Sequence, residues 1–284
     1  MTPSKQPTIL AMNSKSVLLS FFLILFASFL GISQEVFKNN DLTITKLEKN
    51  MWVVETTDNT TMYIIEGTKK AMLIDTGTKC EKLDDVVRQI TQKPLYVVIT
   101  HIHIDHAGNM DFFDNVYFHP ADTVLMSRVK PYKGKVHYIK NGDLFDLGGT
   151  TIEVLEAPGH TPGSIVLLDR KAGNCYSGDA FGSGQVWMQL APHIPMSVYA
   201  QSCKKIEALM DEGITKIYCG HYPYVKKAFS KSYMTDMRQL AEELSEGNTR
   251  DAKPYPTKVP IGAKNPMIIT KDEASIVYDP EKIN

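Results

Sequence analysis

Thr100-His-Ile-His-Ile-Asp-His-Ala-Gly108 follows directly on the apolar run Leu95-Tyr-Val-Val-Ile-Thr100. The run has the length and content of a buried strand. In extended backbone, residues two apart point the same way, so His101 and His103 are placed to grip one ion. Ile102 and Ile104 are then expected to point into the core and fix the loop. Asp105 and His106, just past the strand, turn towards a second ion. Neutral imidazole and carboxylate are donors that borderline divalent metals such as Zn²⁺ prefer.

Three further positions sit where strands end in turns. His160 lies in Ala157-Pro-Gly-His-Thr-Pro-Gly163, Asp179 in Tyr176-Ser-Gly-Asp-Ala180, and His221 in Tyr218-Cys-Gly-His-Tyr222. Glycine precedes each of the three and lets backbone come close to an ion. A fourth acid, Asp75, closes Met72-Leu-Ile-Asp-Thr-Gly77 and is read as a residue of the catalytic site that orients ligands without itself binding metal. His119, His137 and His193 are read as ordinary surface or core histidines. Chance or purely structural use of the seven-residue set is disfavoured, because buried unpaired ionisable groups are expensive. A structural zinc site closes with four ligands, often cysteine, whereas three protein ligands per ion leave positions open for chemistry.

Around these motifs, strands are expected near residues 42–47, 51–55, 61–66, 71–75, 95–100, 116–118, 151–155, 164–169, 174–177, 215–219 and 275–278. Amphipathic helices are expected at about 81–92, from a cap at Ser197 to Gly213, and at about 232–246. The interleaving predicts an α/β protein of two packed sheets covered by helices on their outer faces, an αββα four-layer sandwich forming one domain over residues 34–284. The stretch 251–264 reads as a surface excursion before the last strand.

Taken in order, Ile74-Asp-Thr-Gly77, His101-x-His-x-Asp-His106, His160, Asp179 and His221 resemble the metallo-β-lactamase superfamily, from about residue 42 to the C-terminus. The resemblance implies one metal on His101, His103 and His160 and another on Asp105, His106 and His221. Asp179 and a hydroxide would bridge the two. It also implies a hydrolase, in which Asp105 is expected to shuttle the proton to the leaving group as well as bind metal. The namesake β-lactamases carry Cys or Ser where this chain has Asp179, which points to the glyoxalase-II-like, lactonase and phosphodiesterase branch. Glyoxalase II itself would carry a helical C-terminal domain, and only 63 residues follow His221 here. Activity on β-lactams and a mononuclear iron dioxygenase, with iron at the His101, His103, His160 and Asp179 positions, are the competing readings.

Phe181 to Pro195 follows the bridging acid and is expected to be a substrate-facing loop, with Trp187, Met188 and Tyr222 lining an apolar pocket. No basic cluster is available to grip phosphates, so a small ester, lactone, thioester or amide is favoured over a phosphodiester. The 284-residue chain has 31 Lys plus Arg against 32 Asp plus Glu, which gives no footprint for nucleic acid or an acidic membrane surface. Lys5 and Lys15 precede the uncharged run from Val17 to Leu30, and small residues stand at −3 and −1 of a cut after Ser33. Residues 1–33 are therefore expected to be a cleaved secretory signal, with the mature protein periplasmic or secreted and without a stable membrane span. Its removal shifts the net charge from −1 to −3, because two lysines and no acid leave with it. Cys80, Cys175, Cys203 and Cys219 lack metal-type spacing and are read as buried free thiols.

Overall fold

The computed structural model describes residues 33–284 apart from Lys79 and Lys258, so the expected secretory segment lies outside the described residues but for Ser33. Alternating apolar residues from Leu42 onward build a meander. β1 (Gln34–Lys38), β2 (Leu42–Glu48), β3 (Met51–Thr56), β4 (Thr61–Glu66) and β5 (Ala71–Ile74) each pair antiparallel with the next. β6 (Leu95–Val98), β7 (Asn115–Phe118) and β8 (Lys135–Tyr138) extend the same sheet in parallel, to eight strands in chain order. The second sheet takes the order β14-β12-β11-β10-β9, from β9 (Leu144–Asp146), β10 (Thr151–Glu156), β11 (Ile165–Asp169), β12 (Asn174–Gly178) and β14 (Lys216–Cys219). β12 and β14 run parallel.

Three buried apolar clusters fill three interlayer spaces, and this makes four layers. The first packs Val53, Tyr63, Met72, Ile74 and Val98 of one sheet against Val154, Leu167, Tyr176 and Tyr218 of the other. The second buries the outer face of the eight-stranded sheet (Ile44, Val54, Leu73, Val97) under Leu83, Val86 and Val87 of the helix Leu83–Arg88. The third buries Val166, Leu168, Cys175 and Ile217 under the helices Met196–Asp211 and Lys231–Ser245. The αββα sandwich expected from the sequence is the observed architecture. Burial of apolar area drives it, at about 25 cal/mol per Å² removed from water.

Several elements depart from the sequence reading. The first helix spans only Leu83–Arg88, because Lys82 takes a left-handed φ of 54° and does not extend it backwards. A third sheet, ordered β13-β17-β16-β15, lies beyond the second and contributes Val186, Met188, Ile269 and Ile276 to the cluster under the helices. It comprises β13 (Gln185–Met188), β15 (Lys253–Pro254), β16 (Met267–Lys271) and β17 (Ala274–Tyr278). The segment expected to be a free loop thus contains a strand. No helix among the described residues is long and apolar enough to cross a membrane. All four cysteines are free and buried, and burial pushes the Cys80 thiol up to about 11.

Candidate metal centre

The ligating positions follow the carboxyl ends of β6, β10, β12 and β14, and Asp75 follows that of β5; β5 runs parallel to β6 and β12 to β14, which brings these ends to one edge of the sandwich. Open α/β sheets place ligands at this end of their strands. After β6 the chain bends at Thr100 and His101, is extended at His103, then makes a single helical turn over Ile104–Ala107. The N–H groups of His106 and Ala107 both donate to the His103 carbonyl, at 3.0 and 2.8 Å. The turn swings Asp105 and His106 towards the cluster, and it also overturns one expectation. Ile102 is buried, but Ile104 is 58% exposed. The switch from strand to helix ends the two-residue alternation, so Ile104 faces outward beside the site.

Two groups of side chains gather there. His101, His103 and His160 offer ring nitrogens within 4.8 Å of one another, as do Asp105, His106, Asp179 and His221 with their nitrogens and carboxylate oxygens. The first three rings form a triangle with every centroid 4.8 Å from the other two and near-perpendicular planes. Nδ1 of His103 lies 3.0 Å from Nε2 of His160. Asp179 stands between the groups: Oδ1 is 3.5 Å from His106 Nε2, while Oδ2 is 3.2 Å from His221 Nε2 and 3.8 Å from His160 Nε2. Asp105 Oδ2 is 3.4 Å from His221 Nε2. All seven predicted ligand positions therefore converge at one place.

The outer nitrogens of the rings are already engaged. His106 Nδ1 donates to Asp75 Oδ2 at 2.7 Å, His160 Nδ1 to the Trp187 carbonyl at 2.9 Å, and His221 Nδ1 to the Asn59 carbonyl at 3.0 Å. These bonds hold each ring in orientation and leave Nε2 as the atom facing inward. Thr100 Oγ1 donates to Asp75 Oδ2 at 2.9 Å and lies 3.2 Å from His101 Nδ1, so Asp75 reaches one histidine of each group. Its other oxygen accepts the Thr100 N–H at 2.7 Å. Asp75 is buried, has a positive φ of 62°, and touches ligands without joining either group.

Electrostatics divide the two groups. Burial, then the neighbouring imidazoliums, hold His101 well below the usual histidine range and His103 at about 3, so these rings stay neutral. Burial also pushes His221 down, but Asp179 and the bond to Asp105 outweigh it and raise it to about 12. His106 is likewise raised, against its burial, by Asp179, Asp75 and Asp105. Asp105 sits at about 2, because His106 and His221 outweigh the desolvation that would raise it. Among the described residues, every ion pair at this centre is between a histidine and an aspartate.

The donor set fits a pair of divalent ions. His101 Nε2, His106 Nε2 and Asp179 Oδ1 are buried with no hydrogen-bond partner, although such atoms are costly to leave unpaired. All three belong to residues of the two ligand groups. His119, His137 and His193 lie elsewhere: His119 bonds Glu156, and His137 stacks on Tyr117 and bonds Asn115.

The superfamily's sequence profile, described as the Metallo-beta-lactamase superfamily, matches residues 56–221, a span that holds all seven ligands. The chain belongs to the metallo-β-lactamase superfamily. Among its relatives, the acyl-coenzyme A thioesterase MBLAC2 of Gallus gallus is 26% identical over 208 residues, covering 59% of this chain and 74% of that one. The hydroxyacylglutathione hydrolase of Hydrogenovibrio crunogenus is 28% identical over 197 residues, covering 66% and 67%. Among solved structures, a metallo-beta-lactamase from Pontibacter korlensis superposes with a TM-score of 0.59 at 18% identity, over 71% of this chain and 99% of that one. TTHA1623, in a di-iron-bound form, gives 0.52 at 26% identity, over 63% and 93%.

Of the three residues expected to line a pocket in this superfamily member, the structure separates Met188 from the others. On β13, side chains alternate, so Val186 and Met188 enter the core while Trp187 takes the other face. The Trp187 ring packs edge-on against Tyr255, and its carbonyl orients His160. Tyr222 is half-buried against Tyr218, and it is Tyr224, 65% exposed, whose ring stacks on His221 with centroids 5.8 Å apart. Asp122 also escaped the sequence reading. It is fully buried, and its carboxylate accepts from Ile102 N (2.8 Å), Thr161 Oγ1 (2.9 Å) and Gly163 N (2.6 Å), which stitches the His101 loop to the His160 loop. Its motif, His119-Pro-Ala-Asp122, reads as an ordinary turn and carries no signal for this role.

Proposed function

We propose that the chain is a metal-dependent hydrolase that cleaves small thioesters and related esters or lactones with a pair of divalent ions, zinc first among them, and that it acts after export. The observation that carries the reading is the convergence of two ligand groups on Asp179, with three buried donor atoms left unpaired inside the protein. His101, His103 and His160 would hold one ion and Asp105, His106 and His221 the other, with Asp179 between them. Bound divalent ions lower the pKa of water and polarise a carbonyl oxygen, which is the chemistry a hydrolase needs.

The chain's own residues supply the rest. Asp75, Asn59 and Trp187 hold the imidazoles in one tautomer. Asp105, 33% exposed at its side chain, is the most open carboxylate of the centre and is placed to hand a proton to the leaving group. Ile104 and Tyr224 are exposed apolar surfaces beside the ligands, with Trp187 on the flank of His160, and they suit an acyl group better than a phosphodiester. Two of the relatives are named as an acyl-coenzyme A thioesterase and a hydroxyacylglutathione hydrolase, which supports reading thioesters ahead of lactones and amides.

Metal analysis of residues 34–284, run together with a hydrolysis panel of acyl-thioesters, lactones, phosphodiesters and β-lactams, tests the reading. About two zincs per chain and preference for thioesters is the expected outcome; one iron with oxygen consumption and no hydrolysis overturns it. Asp105→Asn retaining full activity and two metals removes the proton-transfer role. The basic start, apolar run and small residues of the segment 1–33 support export, and N-terminal sequencing of the protein recovered outside the cytosol is expected to begin at Gln34.

A further inference from the structure

The edge of the sandwich opposite the metal centre carries a groove of about 330 Å³, a size that suits a small ligand. Asn174 opens β12 and Asp179 follows its end, so the two edges stand about 17 Å apart along that strand at about 3.3 Å per residue. The groove is walled by the buried apolar side chains of Met51 and Ile65 and ends in a polar corner of Asp169, Asn174 and Tyr176.

Two acceptors in that corner lack protein donors, and of these Asn174 Oδ1 is shut off from solvent while Asp169 Oδ2 is open to it. Asp169 is 5% exposed, and both of its bonds, from Thr150 Oγ1 (2.9 Å) and Ala172 N (3.0 Å), fall on Oδ1. Among the described residues it joins no ion pair, unlike Glu48 nearby, which takes Lys216 and Tyr218. Asn174 is 1% exposed; its Nδ2 donates to Glu48 Oε2 at 3.0 Å and to Tyr176 Oη at 3.4 Å, while Oδ1 is buried without a partner. Asp169 and Asn174 are directly opposed in the β11–β12 register, so their side chains emerge side by side. A buried carboxylate without a counter-ion, next to an amide oxygen without a donor, is an arrangement that a cation with N–H groups completes.

We propose that this groove binds a small organic amine, with its ammonium on Asp169 and Asn174 and its apolar body along Met51 and Ile65. A hard metal ion would need six to eight oxygens, more than this corner offers with Glu48 already engaged. Lys49 and Lys171 are exposed at the rim, where water and salt screen them, and Lys171 is tied back to the Gly149 carbonyl.

The test is calorimetric titration of the metal-loaded protein with phenethylamine, with neutral 2-phenylethanol and calcium chloride as comparators, on the wild type and Asp169→Asn. The amine is expected to bind the wild type, to lose at least about tenfold in affinity in Asp169→Asn, a change worth about 1.4 kcal/mol, and to leave that variant's hydrolysis intact. Equal binding of the alcohol, equal binding to the variant, binding of calcium alone, or no binding overturns the proposal. Should Asp169→Asn fail to fold, amide shifts of the wild type on adding the amine decide: changes confined to the Asp169–Asn174 turn support it, and changes at the metal centre or none overturn it.

Discussion

Asp75 is the residue on which both ligand groups depend, because its carboxylate takes His106 directly and His101 through Thr100. Asp75→Asn keeps a side chain that tolerates a φ of 62° and still fills the space, but it removes the charge and one acceptor. It is expected to lower metal affinity by about 10–100-fold with the fold retained, checked by metal content after dialysis alongside far-ultraviolet circular dichroism. A second prediction at this scale concerns protons. In the metal-free protein, His221 at about 12 and the raised His106 are both protonated at pH 7, while His101 and His103 are neutral. A raised histidine binds its proton more tightly folded than unfolded, so the stability it lends is present in full below about 6.5 and is lost as pH rises towards 12. Metal must displace those protons, so loading is expected to release protons into the medium and to tighten as pH rises. Calorimetry in buffers of different ionisation enthalpy would count them; no release would mean that the pairs with Asp105 and Asp179 do not hold the rings charged.

At the scale of elements, strand ends set the site. Gly178 closes β12 with a φ of 49°, and a Cβ there would stand 2.2 Å from Thr100 Oγ1, in the bend that follows β6 of the other sheet. Gly178→Ala therefore pushes away the hydroxyl that links His101 to Asp75. It is expected to cost about 1–3 kcal/mol of stability and to deplete metal, read by urea unfolding and by metal content. The Asp122 carboxylate plays the same part between loops, and its burial raises it above the usual carboxylate range despite three bonds. The helical turn Ile104–Ala107 is a third case. Periodicity read from an extended backbone assigns Ile104 to the core, and the turn that presents Asp105 and His106 to metal puts it outside.

For the whole molecule, the metal centre ties the two sheets together, because Asp75 and the His101–His106 turn belong to one and Asp179 and His221 to the other. Tyr63 crosses the same interface and donates to the Cys219 carbonyl at 2.7 Å, just before Gly220 and His221. An ion held by both halves binds the folded state alone. At metal a hundredfold above its dissociation constant, chelation is expected to lower the melting temperature by about 5–10 °C. Differential scanning calorimetry with and without chelator checks this, and an unchanged melting temperature would mean that no ion bridges the sheets.

The sequence by itself determined the four layers and the seven positions that converge on the centre. Buried strands and amphipathic helices announce themselves by local periodicity, and metal-type residues stand out when several end strands in turn with glycine before them. The tertiary structure decided what depends on contacts distant in sequence. β13 exists because it pairs with β17, about 90 residues later, so a segment opening Gly182-Ser-Gly184 reads locally as a loop. That pairing turns Met188 inward and leaves Trp187 to orient His160. Likewise Asp122 and Tyr224 acquire their parts only from the loops and rings that folding sets against them, and an isolated aspartate or tyrosine carries no mark of such neighbours.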